Sequence, residues 1–187
     1  MNTKWHFNTA ANRRSAKYSA VVQLRRVGWY AGNLLMRMSP RPFFAWRRVI
    51  LRVFGATVGR WVNVYPTTHI VMPWNLEIGD WSAIGEDALI YNLGRVTIGS
   101  RATVSYRAHV CAGTHDFADP TLPLLKLPVV IRDGAWIGTD AFIGPGVTVG
   151  EGAIVGARAV VVGDVSSMAI VAGNPARQVG SRENVET

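Results

Sequence analysis

The chain has one cysteine in 187 residues, Cys111, so no internal disulfide can form and a reducing compartment suits it. It has no run of about 18 uncharged apolar residues, which argues against a membrane-spanning helix. Its first twenty residues, MNTKWHFNTAANRRSAKYSA, hold no apolar core followed by a small-residue cleavage site. No signal peptide is therefore expected, and the cytoplasm is the expected location. Charged residues are scarce at 17%, against 49% hydrophobic, which excludes a disordered chain. No nucleic-acid-binding motif accompanies the net charge of +8, so nucleic acid is not an expected partner.

The nineteen glycines are spaced along the chain rather than clustered, as periodic tight turns require. The period is six. From Ile131 an aliphatic residue recurs at Ile137, Ile143, Val149, Val155 and Val161. A small or β-branched residue follows each by four, at Ala135, Ala141, Val147, Ala153, Ala159 and Val165. Helices need a period near 3.6 and half-buried strands a period of 2, so neither explains six. Three six-residue segments, each a short strand with its corner, make one coil of about 18 residues in a triangular β-helix. The aliphatic side chain then points inward and stacks on its equivalent one coil away. The glycines after it, at 138, 144, 150 and 156, are expected to make the corners.

Earlier sets continue the register with slips: Ile98, Val104 and Val110, then Ile78, Ile84 and Ile90, with Val58, Val64 and Ile70 as an imperfect first coil. Between Val110 and Ile131 about 15 residues, roughly 116–130, must loop out. Long excursions from a solenoid tend to serve function, because the scaffold does not need them.

Upstream, aromatic and aliphatic residues mix with arginines, and Pro40 and Pro42 divide the stretch into two expected helices, near 17–37 and 42–54. They can cap the open end of the β-helix. They can also rest on an anionic membrane, since Arg13, Arg14, Lys17, Arg25, Arg26, Arg37, Arg41, Arg47, Arg48 and Arg52 gather there. The expected organisation is a basic helical segment at 1–54, a β-helix domain of about five coils at 55–174, and a tail at 175–187.

The stretches PWNLEIGDWSAIGEDALIYNLGRVTIGS at 73–100, GTHDF at 113–117, DGAWIGTDAFIGPGVTVGEGAIVGARAVV at 133–161 and AGNPAR at 172–177 resemble the hexapeptide-repeat acyltransferases, specifically the colanic-acid-biosynthesis type of O-acetyltransferase. The resemblance implies a left-handed parallel β-helix, acetyl-CoA as co-substrate with no metal, and a sugar or glycan-precursor hydroxyl as acceptor. It also implies a homotrimer with active sites between subunits. His115 matches the family's general base before the protruding loop. Imidazole, with an ordinary pKa near 6.5, suits proton abstraction from a hydroxyl. Trp136, Thr139 and Ala157 match positions along the pantetheine arm, and Arg177 matches one near the CoA phosphates. Asn92 matches an asparagine beside the acceptor, while Asp119, Lys126 and Arg107 are near the loop by proximity alone.

Two other classes stand beside this reading. A γ-type carbonic anhydrase on the same fold would bind zinc through three histidines, and His69, His109 and His115 share one slot of the repeat. His109 and His115 nevertheless fall at different corners. A non-catalytic solenoid, binding a partner through its basic helices, would give His115 no role.

Overall fold

A computed structural model of the chain describes residues 6–182. Three helices precede the solenoid: α1 (Thr9–Arg14), α2 (Ala20–Arg37) and α3 (Phe44–Val53). Ser19 caps α2 by accepting from the Val22 amide, and Asn8 caps α1 by accepting from Ala11. The two longer helices stand where the prolines divide the sequence, and α1 is an addition to them.

From Thr57 the chain winds through strands of mostly two or three residues that stack into three parallel sheets, one for each face of a prism. The first face carries Thr57–Val58, Leu76–Ile78, Val96–Ile98, Val129–Ile131 and Thr148–Val149. The second begins at Asn63–Val64 and runs through Trp136–Ile137 to Ala169–Ala172, and the third runs from His69–Ile70 through His109–Cys111 to Val160–Val161. Pairing aligns the aliphatic positions: Val58, Ile78, Ile98, Ile131 and Val149 form one inward column. Val64, Ile84, Val104, Ile137, Val155 and Val171 form the second. Ile70, Ile90, Val110, Ile143 and Val161 form the third. All are buried, as are the small residues Ala102, Ala108, Ala135, Ala141, Ala153 and Ala159 near the corners.

Five coils are complete and a sixth begins. Val165 bridges to Val149, Ala169–Ala172 pairs with Ile154–Val155, and Arg177–Ser181 then folds back antiparallel. The expectation of about five coils falls short by this partial turn because the six-residue spacing lapses after Val161. Val171 keeps its place in the column through pairing alone.

The repeat glycines do a different job from the one expected. A Cβ on Gly79 would lie 2.5 Å from the Ser100 amide nitrogen, and one on Gly138 would lie 2.7 Å from both Ala157 N and Val155 O. These glycines admit the backbone of the next coil. The left-handed corner conformation falls two or so residues later, mostly on other residue types: Trp61, Trp81 and Arg101 at one edge, and Asp87, Arg107, Asp140 and Arg158 at another.

The helices close the N-terminal end. Trp29, Met36, Ile50 and Leu51 join the solenoid core, and the Trp29 indole donates to the Ile70 carbonyl at 2.6 Å. Arg47 is fully buried. Its guanidinium donates to Val64 O, Ser39 Oγ, Pro40 O and Arg41 O. It thereby satisfies Val64 O, a first-coil carbonyl with no preceding coil to pair with, and ties it to the α2–α3 turn.

Substitution contrasts follow from the glycine contacts. Gly79→Ala should cost about 1–3 kcal/mol, the range for overpacking, whereas at Gly163 an added Cβ meets nothing within 4 Å and alanine should change stability by less than about 1 kcal/mol. Urea unfolding of the two variants measures the difference.

Candidate active site

After Cys111 the chain leaves the prism at the edge between the third and first faces. Thr114–His115 pairs antiparallel with Leu124–Leu125, making the excursion a stemmed hairpin that ends where Val129 re-enters the first face. At its tip Asp119 accepts from the Thr121 amide and hydroxyl, and these bonds hold its carboxyl below the ordinary range. Leu122 adopts a left-handed φ of 49°, and its carbonyl meets His115 Nδ1 at 2.6 Å. A carbonyl can only accept, so Nδ1 carries the hydrogen and the neutral ring presents its lone pair at Nε2. The side chain is exposed at the edge.

Helix α1 braces this hairpin. The Asn12 side-chain amide donates to Thr121 O at 2.7 Å and to Leu122 O at 2.5 Å, and the Asn8 amide donates to Pro120 O. Thr9, Asn12, Arg13, His115 and Leu122 line one recess. Sequence reading missed Asn12 and Leu122. The only local signal is the Asn8 cap before two alanines, too short for any periodicity.

The residues expected along CoA lie elsewhere on the molecule. Thr139 and Ala157 occupy consecutive coils at the edge between the second and third faces, where Arg158 N donates to Thr139 O at 2.8 Å. Trp136 stands half exposed on the second face leading to that edge, its indole donating to Ser105 Oγ at 2.9 Å. Arg177 is exposed just past the same edge of the sixth coil, with no ion-pair partner among the described residues. These four therefore follow one line down the solenoid. His115 does not join them: one face of the prism, about six residues or on the order of 15–20 Å of extended chain, lies between.

Asn92 is corrected. It is fully buried, its Oδ1 accepting from the Val71 and Met72 amides and its Nδ2 donating to Met72 O. It stands where the aliphatic spacing widens from six to eight, between Ile90 and Ile98, and it ties two widened corners together. It has no surface to offer an acceptor. Lys126 donates to Lys17 O and sits over the Tyr18 ring, and Arg107 pairs with Asp140 at 3.0 Å.

The three histidines of the zinc alternative are held apart. His69 and His109 share a column two coils apart, on the order of 10 Å. Burial, and after it the charge of Arg37 in contact with the ring, lowers the pKa of His69. His109 packs edge-on against Tyr91 and Phe142, and burial lowers its pKa as well. Among the described residues no three His, Cys, Asp or Glu side chains are close enough to hold a metal.

A solenoid of stacked hexapeptide coils, with an exposed histidine on a hairpin at one edge, defines a hexapeptide-repeat transferase. Residues 128–163 match the family model described as bacterial transferase hexapeptide (six repeats). The chain is 38% identical, over 85% of its length and 86% of the relative's, to WcaF of Escherichia coli (strain K12), which is named as a colanic acid biosynthesis acetyltransferase. Among solved structures it resembles the hexapeptide-repeat-containing acetyltransferase VCA0836 from Vibrio cholerae, with a TM-score of 0.82 at 27% identity, over 88% of this chain and 94% of that one. The same Vibrio protein complexed with acetyl coenzyme A matches with a TM-score of 0.81 at 25% identity, covering 89% and 91%. The chain belongs to the hexapeptide-repeat acetyltransferase family, and its β-helix is the left-handed one of that family.

The two asparagines separate by assay. Asn12→Ala, which removes both side-chain bonds to the hairpin, should lower kcat about tenfold, with the KM for the acyl donor unchanged. Asn92→Ala should cost about 1–3 kcal/mol of stability through the amides it strands, leaving the acceptor KM of the folded enzyme unchanged. Steady-state kinetics and urea unfolding read both.

Proposed function

We propose that this protein transfers an acetyl group from acetyl-CoA to a hydroxyl of a sugar or glycan precursor in exopolysaccharide biosynthesis, with His115 as general base. The observation that carries the reading is the His115 Nδ1 contact with Leu122 O, which leaves the Nε2 lone pair available on an exposed residue. A sugar hydroxyl is a weak nucleophile near neutral pH. As its oxygen bonds to the thioester carbonyl carbon, its proton passes to Nε2. When the tetrahedral intermediate collapses, the carbon–sulfur bond breaks and the CoA sulfur takes that proton back. The products are an acetyl ester and the CoA thiol, and the imidazole is neutral again.

The donor lies, on this reading, along the edge that carries Thr139 and Ala157. Trp136 walls the pantetheine arm and Arg177 meets a phosphate, which a guanidinium fork suits. That edge and His115 belong to different corners of one chain, so a complete site needs the donor edge of one subunit against the hairpin of another. A closed threefold ring supplies three such sites, and we propose a homotrimer on that ground. A single thiol, buried at Cys111, suits a reducing compartment, so we place the reaction in the cytoplasm.

Labelled acetyl-CoA offered with free, nucleotide-linked and lipid-linked sugars tests the chemistry. His115→Ala should reduce transfer by about 10²–10⁴-fold while CoA still binds; an unimpaired variant would remove His115 from the reaction. Subunit sharing has its own test. His115→Ala chains and Ala157→Trp chains, each inactive alone, should on co-refolding regain about a quarter of wild-type activity, because random assortment rebuilds that share of two-subunit sites. A mixture that stays inactive would mean that each site lies within one chain.

A further inference from the structure

The charge of this protein is divided more sharply than its total suggests. Twelve of the twenty lysines and arginines, and none of the twelve acidic residues, lie in the first 76 positions; the first carboxylate is Glu77. That part carries a formal +12 and the remainder −4, which together make the net +8. In the structure most of these arginines are held without being neutralised. Arg48 and Arg52 donate to the carbonyls of Val62 and Val58, Arg25 lies over the Trp74 ring, and Arg26 lies over Tyr18. All those partners are uncharged. Among the described residues only Arg41, with Glu86, and Arg60, with Asp80, face a carboxylate from this part of the chain.

The same end exposes an apolar surface. On α2 and its C-cap, Leu24, Val27, Leu34 and Met38 follow at spacings of three, seven and four on the side away from buried Trp29 and Met36, and each is more than half exposed. On α3, Trp46, Val49 and Val53, between 44% and 76% exposed, share the side away from buried Leu51. The two stripes meet at the turn between the helices, where Leu35, Met38, Pro40, Phe43 and Trp46 line an open apolar trough. Single exposed leucines need no explanation, but a continuous stripe across two helices does.

We propose that the outer face of α2 and α3 is a docking surface for an anionic lipid bilayer, with the apolar stripe in the headgroup–acyl boundary and the arginines on the phosphates. The chemistry fits that occupant. Amphipathic helices with a wide apolar face and a cationic rim lie in the membrane plane, juxtamembrane cations are drawn to acidic lipid, and aromatic side chains such as Phe43 and Trp46 favour the interface. A second copy of this chain fits badly, since pairing the faces would bring two strongly positive ends together. A nucleic acid would satisfy the arginines and leave the stripe in water. The proposal rests on the helices alone and stands or falls independently of the acetyl-transfer reading.

The test is co-sedimentation of the full chain with vesicles of phosphatidylcholine alone and with 30% phosphatidylglycerol, in low and in 0.5 M salt. Binding to the anionic vesicles should exceed binding to the neutral ones at least tenfold, and high salt should weaken it. Met38→Glu with Val53→Glu, both about three-quarters exposed, should reduce it at least tenfold further, with the melting temperature and CoA binding unchanged. Failure to bind anionic vesicles, or equal binding to both kinds, would overturn the proposal. So would vesicle binding that the double variant leaves intact, because the stripe would then take no part. Retention on RNA in place of vesicles would reassign the surface to nucleic acid. An oligomer that the double variant dissociates, with no vesicle binding, would reassign it to a second copy.

Discussion

Two backbone segments can lie about 4.8 Å apart along a hydrogen-bonded ladder only where nothing stands between them. This molecule repeats that approach at every coil, on three faces, and its composition follows from it. Gly79 and Gly138 are glycines because the next coil's backbone passes within 3 Å of where a Cβ would sit. Ala108 and Ala141 are small because the corner leaves no volume for more. The three aliphatic columns fill what remains. The ladder also has to end, and Arg47 serves at the N-terminal end by offering its N–H groups to Val64 O and the α2–α3 turn. A buried cation is tolerated there because four acceptors converge on it.

The interior was legible in the sequence because period six has no competitor. Each aliphatic residue counted from Val58 to Val161 stands in its expected column, including the first coil, where the pattern is weakest. Conformation at the corners was not legible. The left-handed residues include Trp61, Trp81 and Arg158, side chains that advertise no such backbone, so the glycines drew the attention. The sixth coil was missed for a related reason: Val171 is placed by its strand partner Val155 and not by its spacing.

The candidate site divides the same way. The excursion could be located by counting, whereas His115 is singled out through the resemblance to the hexapeptide-repeat acyltransferases. The Leu122 carbonyl that orients the ring could be found by neither, because it depends on a turn at Asp119 and Thr121 and on a helix at the far end of the chain. Asn92 shows the opposite hazard. A polar residue in a matching context reads as a binding group, yet its amide is spent on Val71 and Met72, where two extra residues widen successive corners. Only coordinates separate an asparagine that mends a backbone from one that greets a ligand.

Because the coils stack at a constant step, the solenoid is also a ruler. The hairpin leaves at the end of the third coil, so the distance from the helical end to His115 is fixed by a count of coils, on the order of 15 Å. Insertion or loss of one coil ahead of the hairpin would shift that height by a single quantum and keep the hairpin on the same edge, while the bonds from Asn8 and Asn12 that brace it would have to be remade. Relatives of this fold can thus be tuned in discrete steps of reach without moving the hairpin to another edge.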